Sequence, residues 1–321
     1  MGIFDRFRKK KARAQKIEQT PEKKQLEGSA LVGKNVLDQG PWEWKPDPLE
    51  ENRLGNLVLW SLSTPFSGEP MVIDRVGKYI YCGGSHYRFD LDGNPKGLLR
   101  LGEGELCLAM SYDGQVLVSR GSWTYKVDTE GQVISAIQSG WFNSIDVLPE
   151  DTIVGVRHYR ERGIDKTILG FVQGEEVHEV DVSAIMVYGR SIRSSADGLL
   201  YVVGGPAHTT FVGNTVFKFD PTGYLVNSCS IFRNIGAICP THDGGIDVLE
   251  IDGSRLVRLS REMKVVYDSQ RDSRPEAVLL FQTKRRELTL LYGAKAMDVD
   301  DAGNCYVSAY SGLKRFRRFW G

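Results

Sequence analysis

The sequence predicts an all-β fold: a six-bladed β-propeller of four-stranded blades over residues 57–321, its ring closed by an N-terminal strand and preceded by a basic flexible tail. Three observations predict it. Glycine is over-represented, 35 of 321 residues, which implies many tight turns. An apolar, basic, apolar, Asp, two-residue, Gly unit recurs as Tyr87–Gly93, Tyr125–Gly131 and Phe217–Gly223, with a degenerate copy at Val257–Ser260. The first two of its glycines lie 38 residues apart and the next is 92 further on, room for two units of 46. Periods of about 40 residues fit a propeller blade.

Composition bounds the reading before any element is placed. Hydrophobic residues make up 41 % and charged residues 26 % of the chain, as in folded domains. The 41 Lys/Arg balance 41 Asp/Glu, and that neutrality argues against a nucleic-acid partner held by broad phosphate neutralisation. The balance conceals a segregation. Residues 1–24 carry nine bases and three acids, a net +6, which leaves 32 bases and 38 acids, a net −6, in the rest.

In chain order, residues 1–40 form the basic tail and linker, with too little apolar surface to offset ordering entropy. Within it, Ile3, Phe4 and Phe7 share one face of a helical turn beside Arg6, Arg8, Lys9, Lys10 and Lys11. That pattern suits a tether to an anionic membrane surface or a larger assembly, with a solvated tail as the plain alternative. Residues 41–56, holding Trp42, Trp44, Pro46 and Pro48, read as an extended lead-in. Leu57–Leu62 is an orphan strand placed to supply the missing fourth strand of the last blade.

Each period then reads as strand, Gly turn, strand, loop, strand, Asp/Gly turn, strand. Six periods cover roughly 70–105, 106–140, 141–186, 187–232, 233–290 and 291 to the end. Tyr112-Asp113-Gly114, Ala196-Asp197-Gly198 and Asp301-Ala302-Gly303 each precede a short apolar strand, where glycine supplies the positive φ of a hairpin turn. Tyr87 in, Arg88 out and Phe89 in is the alternation of a strand with one buried face. Two places depart from the period. His158–Lys166 and Gly204–Gly213 are long excursions between second and third strands, and Ser273–Tyr292 fits helical spacing, with a hairpin turning at Lys284-Arg285-Arg286 as the alternative. The 20 uncharged residues Gly198–Phe217 are too polar for a lipid-facing span and read as two strands and a loop.

At Ala296–Ser308 the chain resembles the repeat of NHL-type β-propellers, which share an apolar-x-V-D-x-x-G-N-x-Y-V pattern with several related six-bladed propellers. The resemblance is short and holds at superfamily level, extending loosely over residues 70–321. It implies a scaffold used most often to bind proteins or other ligands, with a minority of relatives being metal-dependent lactonases or lyases.

Motifs that carry chemistry are sparse. Gly28–Asn35 falls short of a phosphate-binding loop, because Asn35 stands where a Ser or Thr is needed and no buried strand precedes it. Asp298–Gly303 opens like a calcium loop but has Ala302 and Ala309 at ligand positions, so it reads as a turn. The five scattered cysteines form no C-x-x-C pair, and the N-terminus lacks the apolar run of a signal peptide, so a cytoplasmic setting is expected. No catalytic residue, metal ligand or cofactor is assigned. His86, His158 and His208 fall in second-to-third-strand loops with Tyr87, Trp123, Tyr159, Arg160, Arg162 and Tyr310. Aromatic and Arg side chains concentrate at protein interfaces, so these nine residues mark an expected partner-binding face. The expectation is therefore a non-enzymatic interaction module. The alternatives are a metal-dependent enzyme with its site in the central channel and a sugar-binding propeller.

Overall fold

A computed structural model of the chain describes residues 58–62, 71–74, 78–82, 87–98, 107–128, 132–207, 213–282, 291–310 and 312–320. The basic tail, the lead-in, His86 and His208 lie outside the described residues. Six four-stranded antiparallel sheets follow one another along the chain. Blade 1 comprises β2 (Met71–Asp74), β3 (Tyr79–Cys82), β4 (Tyr87–Asp90) and β5 (Pro95–Leu98). Blade 2 comprises β6 (Cys107–Met110), β7 (Val116–Arg120), β8 (Trp123–Val127) and β9 (Val133–Gln138). Blade 3 comprises β10 (Ser144–Leu148), β11 (Thr152–Glu161), β12 (Ile164–Gln173) and β13 (Glu176–Asp181). Blade 4 comprises β14 (Met186–Ser194), β15 (Leu200–Pro206), β16 (Thr215–Phe219) and β17 (Leu225–Cys229). Blade 5 comprises β18 (Ile235–Pro240), β19 (Ile246–Glu250), β20 (Leu256–Leu259) and β21 (Val265–Asp268).

The last blade joins both ends of the domain. Its strands β22 (Ala296–Val299), β23 (Asn304–Ala309) and β24 (Gly312–Arg317) are completed by β1 (Val58–Leu62), which pairs antiparallel with β24 from Val58 against Phe316 to Leu62 against Leu313. The orphan strand thus takes the place expected of it. The first strands of successive blades touch in a closed cycle, β2 to β6, β10, β14, β18, β22 and back to β2. They line the central channel.

Turn chemistry follows the sequence signals. Gly114, Gly198, Gly244 and Gly303, between first and second strands, have φ of 77–82°. Between third and fourth strands Asp90 and Asp220 accept the N–H groups of the following turn, and Gly93 and Gly223 sit at φ 84° and 87°. In the degenerate copy Ser260 replaces the Asp and accepts from Glu262 and Lys264, and Met263 adopts φ 62° at the glycine's place.

Two expectations need correction and a third is met in part. One-face burial does not describe the inner strands: β16, β19 and β20 are buried at every residue. Blades stack face to face, so both faces of an inner strand meet a neighbouring sheet, and only outer strands such as β9 and β13 are largely exposed. The His158–Lys166 excursion is no loop. β11 and β12 run on as a ladder to Glu161 and Ile164 and turn at Arg162-Gly163. The 273–292 segment contains a helix, α1 (Pro275–Phe281), with Pro275 in its first turn. It is shorter than expected, and the alternative turn at 284–286 lies outside the described residues. Ala277, Leu280 and Phe281 of α1 enter the core between blades 5 and 6, where Phe281 meets Trp320 edge-on at 6.2 Å.

Candidate functional site

In an antiparallel meander, turns between strands one and two emerge at the opposite end from links between strands two and three. The propeller therefore has a turn face and a link face. The channel connects them.

Matching carboxylates on first strands tie blades together along the channel wall. Asp298 of β22 accepts the backbone N–H groups of Val299 (2.8 Å) and of Ile73 in blade 1 (3.1 Å). Asp146 of β10 repeats the device half a ring away, accepting from Val147 (2.9 Å) and from Ser194 in blade 4 (2.6 Å). Burial pushes the Asp146 carboxyl up, against the pull of Arg193 and the Ser194 bonds. Arg193 of β14 reaches the carbonyl of Met71, 3.2 Å away, in the blade diametrically opposite. These residues, with Cys239, Met110 and Met297, line a cavity of about 280 Å³ whose turn-face mouth includes Tyr112, Ala196 and His242.

A buried carboxylate behind the channel fastens the C-terminus. Asp247 of β19 accepts from Arg258 (2.8 and 3.1 Å), from Arg318 (2.7 Å) and from the Trp320 indole (3.0 Å). Burial raises its carboxyl, while Arg258 and the Trp320 N–H oppose that rise. Trp320 is 2 % exposed, so the segment after β24 is part of the core.

The link face carries apolar surface. Trp123, Trp141, Ile164, Ile231, Tyr292 and Tyr310 keep between 42 and 62 % of their surface exposed. Trp123 and Ile164 open third strands directly after their links, and the other four lie in a second-to-third-strand link or in the connections between blades. Tyr310 meets Tyr292 edge-on at 5.7 Å, with Lys295 Nζ 5.8 Å from its ring centre. Gly293, at φ 74°, lets the ring approach, since a Cβ there would lie 2.3 Å from it.

Of the nine residues expected on this face, Trp123, Arg160, Arg162 and Tyr310 are exposed there. Tyr87 stands at the link end of β4, and His86 and His208 lie outside the described residues. His158 and Tyr159 are partly buried. The His158 ring packs on Tyr188 at 4.4 Å, its Nε2 lies 3.9 Å from Asp165 Oδ1, and its buried Nδ1 meets no partner. Tyr188 holds φ 54°, unusual for an aromatic residue, and donates to Asp165 at 3.2 Å.

Sequence reasoning missed Trp141, Ile164, Ile231 and Tyr292. Trp141 follows Gly140 in an inter-blade connection, which is the signal that marked the other link residues. It also missed the channel carboxylates, although Ile145-Asp146-Val147 and Met297-Asp298-Val299 repeat one pattern on equivalent strands. Among the described residues no group of three His, Cys, Asp or Glu side chains is arranged to hold a metal ion, and no helix is long and apolar enough to cross a membrane.

No protein-family model matches the chain, and no curated protein is similar to it in sequence. Solved structures match its fold. A gluconolactonase from Xanthomonas campestris superposes with a TM-score of 0.54 at 12 % identity, over 87 % of this chain and 95 % of that one. A streptogramin B lyase gives 0.52 at 14 % identity, over 79 % and 95 %. The WD40 β-propeller domain of Doa1 gives 0.52 at 12 % identity, over 81 % and 96 %. At such identities the likeness is one of architecture.

Proposed function

We propose that the protein is a non-enzymatic interaction module that binds a protein partner through its link face. The observation that carries this reading is the set of six exposed apolar residues gathered at one end of the blades, with Trp123, Trp141, Tyr292 and Tyr310 among them. Aromatic side chains bury large area at low entropic cost and dominate interface energetics. Arg160, Arg162 and Lys295 add a basic rim to the same face, which favours an acidic surface on the partner.

Further support comes from the channel, where the Asp146 and Asp298 carboxylates are spent on backbone N–H groups that hold neighbouring blades. The wall is thereby built as a structural tie. The basic segment with Ile3, Phe4, Phe7, Arg6, Arg8, Lys9, Lys10 and Lys11 is the tether of this reading, holding the module at a cytoplasmic anionic membrane surface.

The test of the face is a triple substitution, Trp123→Ala, Trp141→Ala and Tyr310→Ala, assayed by affinity purification from native lysate with quantification of stoichiometric partners. Loss of a partner with an unchanged thermal midpoint supports the reading. Retention of every partner by the triple variant removes it. Deleting residues 1–24 tests the tether, which requires reduced sedimentation with vesicles containing anionic lipid.

A further inference from the structure

We propose that the channel cavity is a binding site for a small oxyanion-bearing molecule, a free carboxylate or phosphate, held by Arg193 and Arg318. The inference leaves the link face and its partner untouched, because the cavity opens at the turn face.

Hydrogen-bond accounting in the wall is one-sided. The acceptors are committed: Asp146 receives Val147 and Ser194, and Asp298 receives Val299 and Ile73. The donors are not. Arg193 meets one protein acceptor, the Met71 carbonyl, at the long distance of 3.2 Å. Arg318 meets Asp247 through Nη2, and its Nε is buried with no partner at all. Guanidinium groups are seldom left short of acceptors inside a protein, since each unmet buried N–H costs about 1–3 kcal/mol.

Charge does not supply the missing acceptor. Among the residues that line the cavity, the carboxylates of Asp146 and Asp298 stand against the guanidiniums of Arg193 and Arg318, so the site is formally neutral while Arg318 Nε still lacks an acceptor. A ligand that completes it must therefore bring acceptors. Carboxylate and phosphate present them in the paired geometry that a guanidinium fork matches.

Size and lining narrow the class. A cavity of about 280 Å³ lies at the lower end of the range for small-molecule sites, so the ligand is short. Met110, Met297 and Cys239 offer it an apolar wall beside the two guanidiniums, which suits a few methylenes attached to the charged group.

The experiment uses the full chain, titrated calorimetrically and by thermal unfolding with succinate and with inorganic phosphate at constant ionic strength. Sodium chloride and 1,4-butanediol serve as the ionic and neutral controls. One anion should bind with a stoichiometry near one and raise the thermal midpoint, while the diol does neither. Arg193→Gln should weaken that binding at least about tenfold, the loss expected for one charge-assisted contact. Ala196→Trp, which fills an exposed position at the mouth, provides the same readout if the Arg193 variant does not fold. The proposal is overturned if neither anion exceeds sodium chloride, if the diol binds equally, or if the folded variants bind like the parent chain.

Discussion

The Asp298 carboxylate accepts the backbone N–H of Ile73 at 3.1 Å, a bond between residues 225 positions apart that ties the last blade to the first. Asp146 and Ser194 form its counterpart at 2.6 Å between blades 3 and 4. Asp146→Ala leaves the N–H groups of Val147 and Ser194 without their acceptor and should cost about 2–3 kcal/mol. Equilibrium urea unfolding measures it, and an unchanged midpoint would show that water replaces the carboxylate.

The three fully buried second-strand tyrosines separate by their hydroxyl partners. Tyr201 donates to the Gly244 carbonyl at 2.5 Å and Tyr306 to Asp300 at 3.0 Å, whereas the Tyr81 hydroxyl is buried with no partner. Tyr201→Phe and Tyr306→Phe should each lose about 1 kcal/mol, and Tyr81→Phe should be neutral or stabilising. Thermal midpoints of the three variants decide this. Equal losses would contradict the assignment.

Asp247 is the point where one substitution reaches furthest. Asp247→Ala removes the carboxylate that Arg258 and Arg318 share and releases the Trp320 indole, at an expected cost of about 3–5 kcal/mol. Trp320→Ala keeps the ion pairs and removes packing against Phe281, and should cost about 3 kcal/mol. A loss under 1 kcal/mol in the Asp247 variant would mean the C-terminal segment is dispensable to the fold.

In the turn between β10 and β11, Glu150 and Asp151 hold φ of 72° and 56°, where four other blades place glycine at one such position. Glu150 is exposed and gives up no buried contact on replacement. Glu150→Gly should therefore stabilise the protein by about 0.5–1 kcal/mol, relief of left-handed strain outweighing the added chain entropy. A lower midpoint would place the strain elsewhere.

Acid unfolding has a definite sign. Ser183, with help from Lys166, lowers Asp181 from 3.8 to about 2, and Arg274 lowers Asp272 likewise. A depressed carboxyl contributes stability that is complete above 3.8 and lost as pH falls toward 2. Asp146, raised by burial, acts oppositely: its protonation favours the folded state at low pH. The double variant Asp181→Asn, Asp272→Asn should thus flatten the fall in thermal midpoint between pH 3.8 and 2, and a slope equal to the parent's would exclude these two groups.

What could be read from the chain was whatever local chemistry dictates. Glycine at Gly93, Gly114, Gly198 and Gly303 marks turns because positive φ is a local demand, and the spacing of such turns counted the blades. Burial on both faces of β16 and β19 carries no local signal, because two-sided packing depends on sheets far away in the sequence. The link-face residues Trp123 and Tyr310 stand out beside the links inside their blades, whereas Trp141 follows Gly140 in a connection between blades. Asp146, Arg193 and Arg318 reach one cavity from separate blades and from the C-terminus. Only the ring's closure brings them together.

That closure bears on how the protein is made. β1 leaves the ribosome well before β24, the strand it pairs with, so blade 6 cannot be completed until the other five blades have been made. Joining strands at opposite ends of the chain is entropically costly and slow compared with the local hairpins of blades 1 to 5. During translation those blades stand as an open arc with bare sheet faces at both ends. A polypeptide released before Leu313 keeps that arc for good, and it exposes the apolar surface that chaperones and proteases recognise.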